Sequence, residues 1–207
     1  STAKALLTDK AEYDAYIAAF NEELNDLRAM FKAIYIAGCS TDAFGDFVVG
    51  HGELWTARLC AATIRCKGGK AVWIDARDIL VVTDSEDGGV DVDYSLSNAN
   101  LDKWYDEHMQ EGAVVMGTGF IARTPEGVPT TLKRNGSDYS ATIFGALTQA
   151  RNITIWTDVD GVFSADPRRV KGAKCLNSIS YNEAWELAYF GANVLHPRTT
   201  LPAMKYN

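Results

Sequence analysis

Two short stretches hold the residue types that chemistry on an anionic small molecule needs. In Arg134-Asn135-Gly136-Ser137-Asp138 a guanidinium, a flexible turn and the expected start of a helix fall together. N–H groups at a helix start carry partial positive charge, and with Arg134 they would form an anion site. The same residues also read as ordinary capping, with Ser137 closing the helix end and Asp138 favoured in its first turn. In the second stretch, Ile155-Trp156-Thr157-Asp158-Val159-Asp160-Gly161-Val162-Phe163-Ser164-Ala165-Asp166-Pro167-Arg168, an apolar strand would deliver Thr157 and Asp158 at its carboxyl end. That is where open α/β sheets bind ligands. Arg168 and Arg169 follow, although Asp, Gly and Pro are also ordinary turn residues.

Other patterns fail on their own chemistry. Gly117-Thr118-Gly119-Phe120-Ile121-Ala122 follows an apolar strand and matches GxGxxG/A, but Pro125, Gly127 and Pro129 come at once, where a dinucleotide site needs a helix. Those glycines read better as allowing close approach of the backbone to a ligand or a strand. Asp158-Val159-Asp160-Gly161 hints at a calcium loop, yet Val162 and Arg169 stand where oxygen ligands are required. Gly68-Gly69-Lys70-Ala71 lacks the hydroxyl of a phosphate loop. The histidines are His51, His108 and His196, and nothing in the sequence orients them as members of a nucleophile triad. No metal ligands are expected.

The elements that must position these residues follow from periodicity. Tyr13, Tyr16, Ile17, Phe20, Leu24, Leu27 and Phe31 mark one face of a long helix. Ala33–Gly38 reads as a short strand, and residues 52–66, apolar almost all round, as a buried helix. Residues 71–82 predict a strand with a break, ending in the acidic turn 84–89. A polar helix is expected from about Asn98 to Gln110, a strand over 113–116, a helix from Ser137, a strand over 153–157 and a last helix over 182–189. Strands alternating with helices predict an α/β protein with a largely parallel sheet, in one domain over residues 1–207.

The chain has 207 residues and a formal net charge of −7, with 47% hydrophobic and 23% charged residues. This composition is that of a folded globular protein. An acidic balance opposes non-specific nucleic-acid binding, and no apolar run approaches a membrane span. With no leader visible, a soluble intracellular protein is expected, and Cys39, Cys60, Cys66 and Cys175 read as free thiols. Charge is uneven. Residues 75–111 hold 11 acidic against 2 basic residues, whereas 123–174 hold 8 basic against 5 acidic, which suits an anionic ligand there.

Taken together, Arg134-Asn135-Gly136-Ser137-Asp138-Tyr139-Ser140-Ala141, Trp156-Thr157-Asp158-Val159-Asp160-Gly161-Val162 and Tyr189-Phe190-Gly191-Ala192-Asn193-Val194-Leu195-His196-Pro197-Arg198-Thr199 resemble the signature segments of aspartate kinases, of the amino-acid kinase fold. The order and combination are most similar to the kinase half of bifunctional aspartokinase–homoserine dehydrogenases. The likeness is strongest from about residue 113 onward, and upstream Gly52-Glu53 resembles a Gly-Glu pair at a helix start.

The resemblance implies a three-layer αβα fold and transfer of a phosphoryl group from ATP to the β-carboxylate of L-aspartate. It implies that Arg134 holds the substrate carboxylate, Glu53 its ammonium, and that Phe120 and Ser137 line the pocket. Asp138 would order the polar groups around the phosphate, and Thr157, Asp158, Phe163, Arg168 and Asn193 would meet the nucleotide. Mg²⁺ would travel with ATP, and the full-length protein would be a homo-oligomer, in the cytoplasm or, in a photosynthetic eukaryote, the plastid. Binding without turnover, or a related acidic amino acid as substrate, are the alternative readings. The family's opening Lys-Phe-Gly-Gly-Thr-Ser has no counterpart, so the chain is expected to begin inside the domain and to end before any regulatory one. Phe163 stands where many relatives have Tyr, Asn193 where many have Lys, and Lys133 where Gly is common.

Overall fold

The computed structural model describes residues 2–157, 160–166, 168–189 and 197–206. They form two compact units, Ser1–Thr131 and Leu132–Asn207.

The first unit is built on a helical hairpin. After the short α1 (Thr2–Leu6), Asp9 accepts hydrogen bonds from the Ala11 and Glu12 amides and starts α2 (Lys10–Ala37). The apolar face predicted from Tyr13 to Phe31 is the packing face. Phe20 lies against Trp55 with ring centroids 4.6 Å apart, and Phe31 meets Phe44 edge-on. Ala33–Gly38, expected as a strand, instead continues α2. A strand needs a neighbouring strand to pair its backbone, whereas here the helix satisfies those groups internally. It stops at Gly38, whose φ of 67° gives a left-handed C-cap with its N–H on the Ile34 carbonyl.

Thr41 caps α3 (Asp42–Cys66) by accepting from the Phe44 amide. The helix thus begins ten residues before Gly52, so Gly52 and Glu53 lie mid-helix and not at a helix start. It is buried along one side, through Gly50, His51, Leu54, Ala57, Ala61 and Ala62, and not all round. Polar contacts fix its antiparallel register on α2. Arg65 grips Glu12 with two bonds of 2.6 and 2.7 Å. Trp55 Nε1 and Arg58 both donate to Glu23, at 2.7 and 2.8 Å.

The expected strand with a break resolves into β1 (Ala71–Ile74), the single turn α4 (Ala76–Ile79) and β2 (Val82–Asp84). The acidic turn closes an antiparallel hairpin of β2 with β3 (Val90–Val92). Asp93 caps α5 (Tyr94–His108), four residues earlier than the polar pattern suggested. Then β4 (Val114–Gly117) pairs in parallel with β1, from Ala71 opposite Val114 to Ile74 opposite Gly117. An antiparallel pair, β5 (Ile121–Arg123) and β6 (Pro129–Thr131), ends the unit. The Gly-rich pattern at 117–122 therefore opens a strand, not a helix. Leu54, Ile74, Ile79, Leu80, Val82 and Ile121 form the core, each contributing about 1.5–3 kcal/mol on burial.

In the second unit α6 (Gly136–Leu147) buries Tyr139, Ile143, Ala146 and Leu147 and packs on α8 (Pro197–Tyr206), which also meets α7 (Tyr181–Tyr189). No strand is formed over 153–157. The apolar run there joins no sheet among the described residues. Ile153 instead seats on α6, so closely that a Cβ on Gly145 would lie 2.3 Å from it.

Candidate functional site

Two sequence-predicted residues lie in the first unit. Glu53 is half-buried on α3 and forms no hydrogen bond or ion pair among the described residues. It shares a helix stripe with Asp46, Gly50 and Ala57, at steps of four, three and four residues. That stripe faces the β5–β6 hairpin: a Cβ on Gly50 would meet Ile121 Cγ2 at 3.0 Å. The residue before Ile121 is Phe120, with φ of 67°. It is the centre of a three-residue turn closed by the Ile121 N–H on the Gly119 carbonyl at 2.7 Å. A bulky residue held at positive φ is strained, and such strain gathers where a loop meets a ligand. The structure thus brings Glu53 and Phe120 onto contacting elements.

The Arg134–Asp138 segment opens the second unit. Lys133 and Asn135 both have left-handed backbones, φ 60° and 58°. This pair of kinks turns the chain directly into α6, and no side chain caps its first turn. Ser137 is therefore not the cap: Asn135 occupies that position, and Ser137 lies exposed inside the helix with Asp138 half-buried beside it. Arg134 is exposed and makes no ion pair among the described residues. Uncapped N–H groups, a guanidinium and a carboxylate thus share one helix start, a combination able to orient an anion.

Thr157 ends the apolar run and is exposed. Beyond it residues 160–166 and 168–176 fold back on one another. Phe163 bridges Cys175, flanked by Ser164 N–H to the Lys174 carbonyl at 2.9 Å and Leu176 N–H to the Val162 carbonyl at 2.8 Å. Asp166 orders the tip, accepting from the Arg168 amide at 2.9 Å and from its guanidinium at 3.2 and 3.4 Å. Those bonds hold the Asp166 carboxyl below its ordinary range. Arg168 is otherwise open to solvent. Asp158 and Asn193, also predicted at the site, lie outside the described residues.

A cavity of about 570 Å³ in the second unit is lined by Thr142, Gly145, Arg151, Ile153, Tyr181 and Thr199 among others. None of the predicted site residues that lie among the described residues lines it. It opens on the carboxyl half of α6, away from the turn that bears Ser137 and Asp138. Among the described residues no group of His, Cys, Asp and Glu is arranged to hold a metal ion, and no helix is long and apolar enough to cross a membrane.

Sequence reasoning missed residues whose contacts join one element to another. Asp46 accepts hydrogen bonds from Thr130 and Thr131. Its spacing from Gly50 and Glu53 was the available signal. The left-handed geometry of Asn135 was equally foreseeable, because Asn tolerates it better than most residues.

Comparison with known proteins gives consistent matches. The Amino acid kinase family model covers residues 2–207. Bifunctional aspartokinase/homoserine dehydrogenase 1, chloroplastic, of Arabidopsis thaliana is 53% identical over 201 residues, 97% of this chain and 22% of that protein. Bifunctional aspartokinase/homoserine dehydrogenase 2 of Escherichia coli is 43% identical over 191 residues, 92% of this chain and 22% of that protein. The chain therefore spans about a fifth of the length of these relatives. Among solved structures, E. coli aspartokinase III in complex with aspartate and ADP (R-state) superposes with a TM-score of 0.78 at 34% identity, over 91% of this chain and 42% of that one. The α/β class expected from the sequence is that of these neighbours, the αβα amino-acid kinase fold.

Proposed function

The chain belongs to the amino acid kinase family, and on that premise we propose that it supplies aspartate kinase chemistry. ATP phosphorylates the β-carboxylate of L-aspartate to give 4-phospho-L-aspartate. A carboxylate with an intrinsic pKa of about 3.9 is already ionised at neutral pH, so no general base is needed. The work lies in aligning two anions and offsetting their repulsion. Arg134 holds the substrate carboxylate, for which a two-pronged guanidinium is suited. Glu53 takes the ammonium, Phe120 and Ser137 shape the pocket, and Asp138 orders the polar groups around the transferring phosphate. Thr157, Asp158, Phe163, Arg168 and Asn193 meet the nucleotide. Mg²⁺ enters with ATP, held mainly by phosphate oxygens and water, and offsets phosphate charge when bound.

The observation that carries this reading is the start of α6, where Arg134, Ser137 and Asp138 fall within one turn of backbone N–H groups that no side chain caps, at a bend made by two left-handed residues. The aspartate and ADP bound by the E. coli neighbour support the pairing of substrates. The chloroplastic relatives support a plastid setting. We take the full-length protein to be a homo-oligomer that binds neither nucleic acid nor membrane.

Calorimetric titration of L-aspartate into the chain, with and without a non-hydrolysable Mg-ATP analogue, tests the reading. Binding that falls about tenfold or more in Glu53→Gln and Arg134→Lys supports it, since each loses a charge-assisted contact. Absence of binding by either ligand to the folded chain overturns it. ADP release on adding aspartate and ATP then separates turnover from binding alone.

A further inference from the structure

Asp46 does nothing in the chemistry proposed above, yet its contacts converge on it. On α3 it stands seven residues before Glu53 and on the same stripe. One carboxylate oxygen accepts from Thr130 Oγ1 at 3.0 Å and the other from Thr131 Oγ1 at 3.3 Å. Thr131 is buried and Thr130 half-buried, so both bonds lie largely out of bulk water. Hydrogen bonds to an ionised acceptor are the strong kind, and two on one carboxylate fix orientation as well as distance.

The register of the hairpin carries that restraint onward. Thr131 stands opposite Ile121 and Thr130 opposite Ala122. Ile121 is the residue on which Gly50 presses, and Phe120 is its neighbour in the turn. Thus α3 is tied to the hairpin at Asp46 and seated on it at Gly50, one turn before Glu53. Glu53 itself has no partner among the described residues to hold it.

We propose that Asp46 is a positioning residue for ligand selection. By clamping α3 to β6 through two threonine hydroxyls, it sets Glu53 against Phe120 and so determines preference for a ligand that carries an ammonium group beside its carboxylates. This rests on the assignment of Glu53 and Phe120 made above.

The test uses the 207-residue chain and two probes, L-aspartate and succinate, which is aspartate without its ammonium group. Wild type, Asp46→Ala, Asp46→Asn and Thr130→Val/Thr131→Val are titrated with each probe and with the ATP analogue. Circular dichroism and urea midpoints establish folding. The wild type prefers L-aspartate. Asp46→Ala lowers that preference by about tenfold, the scale on which small misplacements act, while affinity for the ATP analogue stays. The double threonine variant reproduces the loss, and Asp46→Asn, which keeps an acceptor oxygen, recovers part of it. If Asp46→Ala fails to fold, the other two variants carry the same ratio test. An unchanged preference in the variants overturns the proposal, as does an equal loss for aspartate, succinate and nucleotide analogue. A wild-type chain with no preference for aspartate removes the Glu53 assignment first, and this proposal with it.

Discussion

Gly50 of α3 lies so close to Ile121 of β5 that an added Cβ would sit 3.0 Å from Ile121 Cγ2. A Cβ at Gly45, five residues earlier in the same helix, would meet nothing within 4 Å. The two glycines therefore answer oppositely to a side chain. Gly45→Ala stabilises by about 0.5–1 kcal/mol through helix propensity alone. Gly50→Leu destabilises by about 1–3 kcal/mol through overpacking and weakens L-aspartate binding. Urea midpoints and calorimetry check both.

Lys133 is held at φ 60°, a conformation that costs an L-residue about 1–2 kcal/mol. Glycine removes that strain but loses about 0.5–1 kcal/mol through its greater freedom when unfolded. Lys133→Gly therefore leaves stability equal or higher, by up to about 1 kcal/mol. Lys133→Ile, with a branched Cβ, lowers it. Denaturant melts of the two variants against wild type decide.

The Arg65 guanidinium, hydrogen-bonded to Glu12, holds that carboxyl below its usual value, against a smaller opposing effect of burial. A carboxyl lowered in the folded state contributes stability above its unfolded value of about 4.3. The contribution is lost as pH falls through the folded value. Glu12→Gln should therefore be less stable than wild type at pH 7, with the gap closing in acid. Both side chains are partly exposed, so the gap is small. Melting temperatures at pH 7 and across the acid range measure it.

Asp166 orders the loop tip that presents Arg168. Asp166→Ala is expected to weaken affinity for the ATP analogue roughly two- to fivefold, the scale of an exposed charge contact. L-Aspartate affinity should not move. Titration with each ligand separates the two effects.

The elements that were legible in the sequence are those whose local signal and tertiary role agree. The face from Tyr13 to Phe31 is helical by period and apolar by need, and α2 follows it. Ala33–Gly38 misled because a short run with Ile and Tyr carries strand preference. Its helical fate was written only in Gly38, the stop signal. The start of α3 was hidden by Gly45, Gly50 and Gly52, which read as breakers. Gly50 is there because Ile121 needs the space, a long-range fact that spacing does not carry. Ser180 and Glu183 form a reciprocal cap before α7, with the Ser180 amide on the Glu183 carboxylate at 2.8 Å and the Glu183 amide on the Ser180 hydroxyl at 3.2 Å. The pattern Ser-x-x-Glu was readable in advance.

The residues proposed for the site stand out in the sequence by type, whereas their local geometry does not. Arg134, Ser137 and Asp138 read either as an anion-binding turn or as plain capping by Ser137, and the helix starts there with Asn135, not Ser137, at the cap position. Thr157 is expected at the end of a strand, and the residues before it form none, because a strand depends on a neighbour that no local pattern specifies. Glu53 was expected at a helix start and lies in mid-helix.

Glu23 accepts from both Trp55 and Arg58, and the Arg58 guanidinium lies 4.4 Å over the Trp73 ring. One carboxylate on α2 thereby joins two side chains of α3, one of which reaches β1. Such a linked set cannot drift one member at a time: losing Glu23 strands two donors, and losing Arg58 uncovers an indole. Across descendants of a common ancestor, positions 23, 55, 58 and 73 should therefore change in concert or stay fixed together, an evolutionary coupling that contacts of this protein alone foretell.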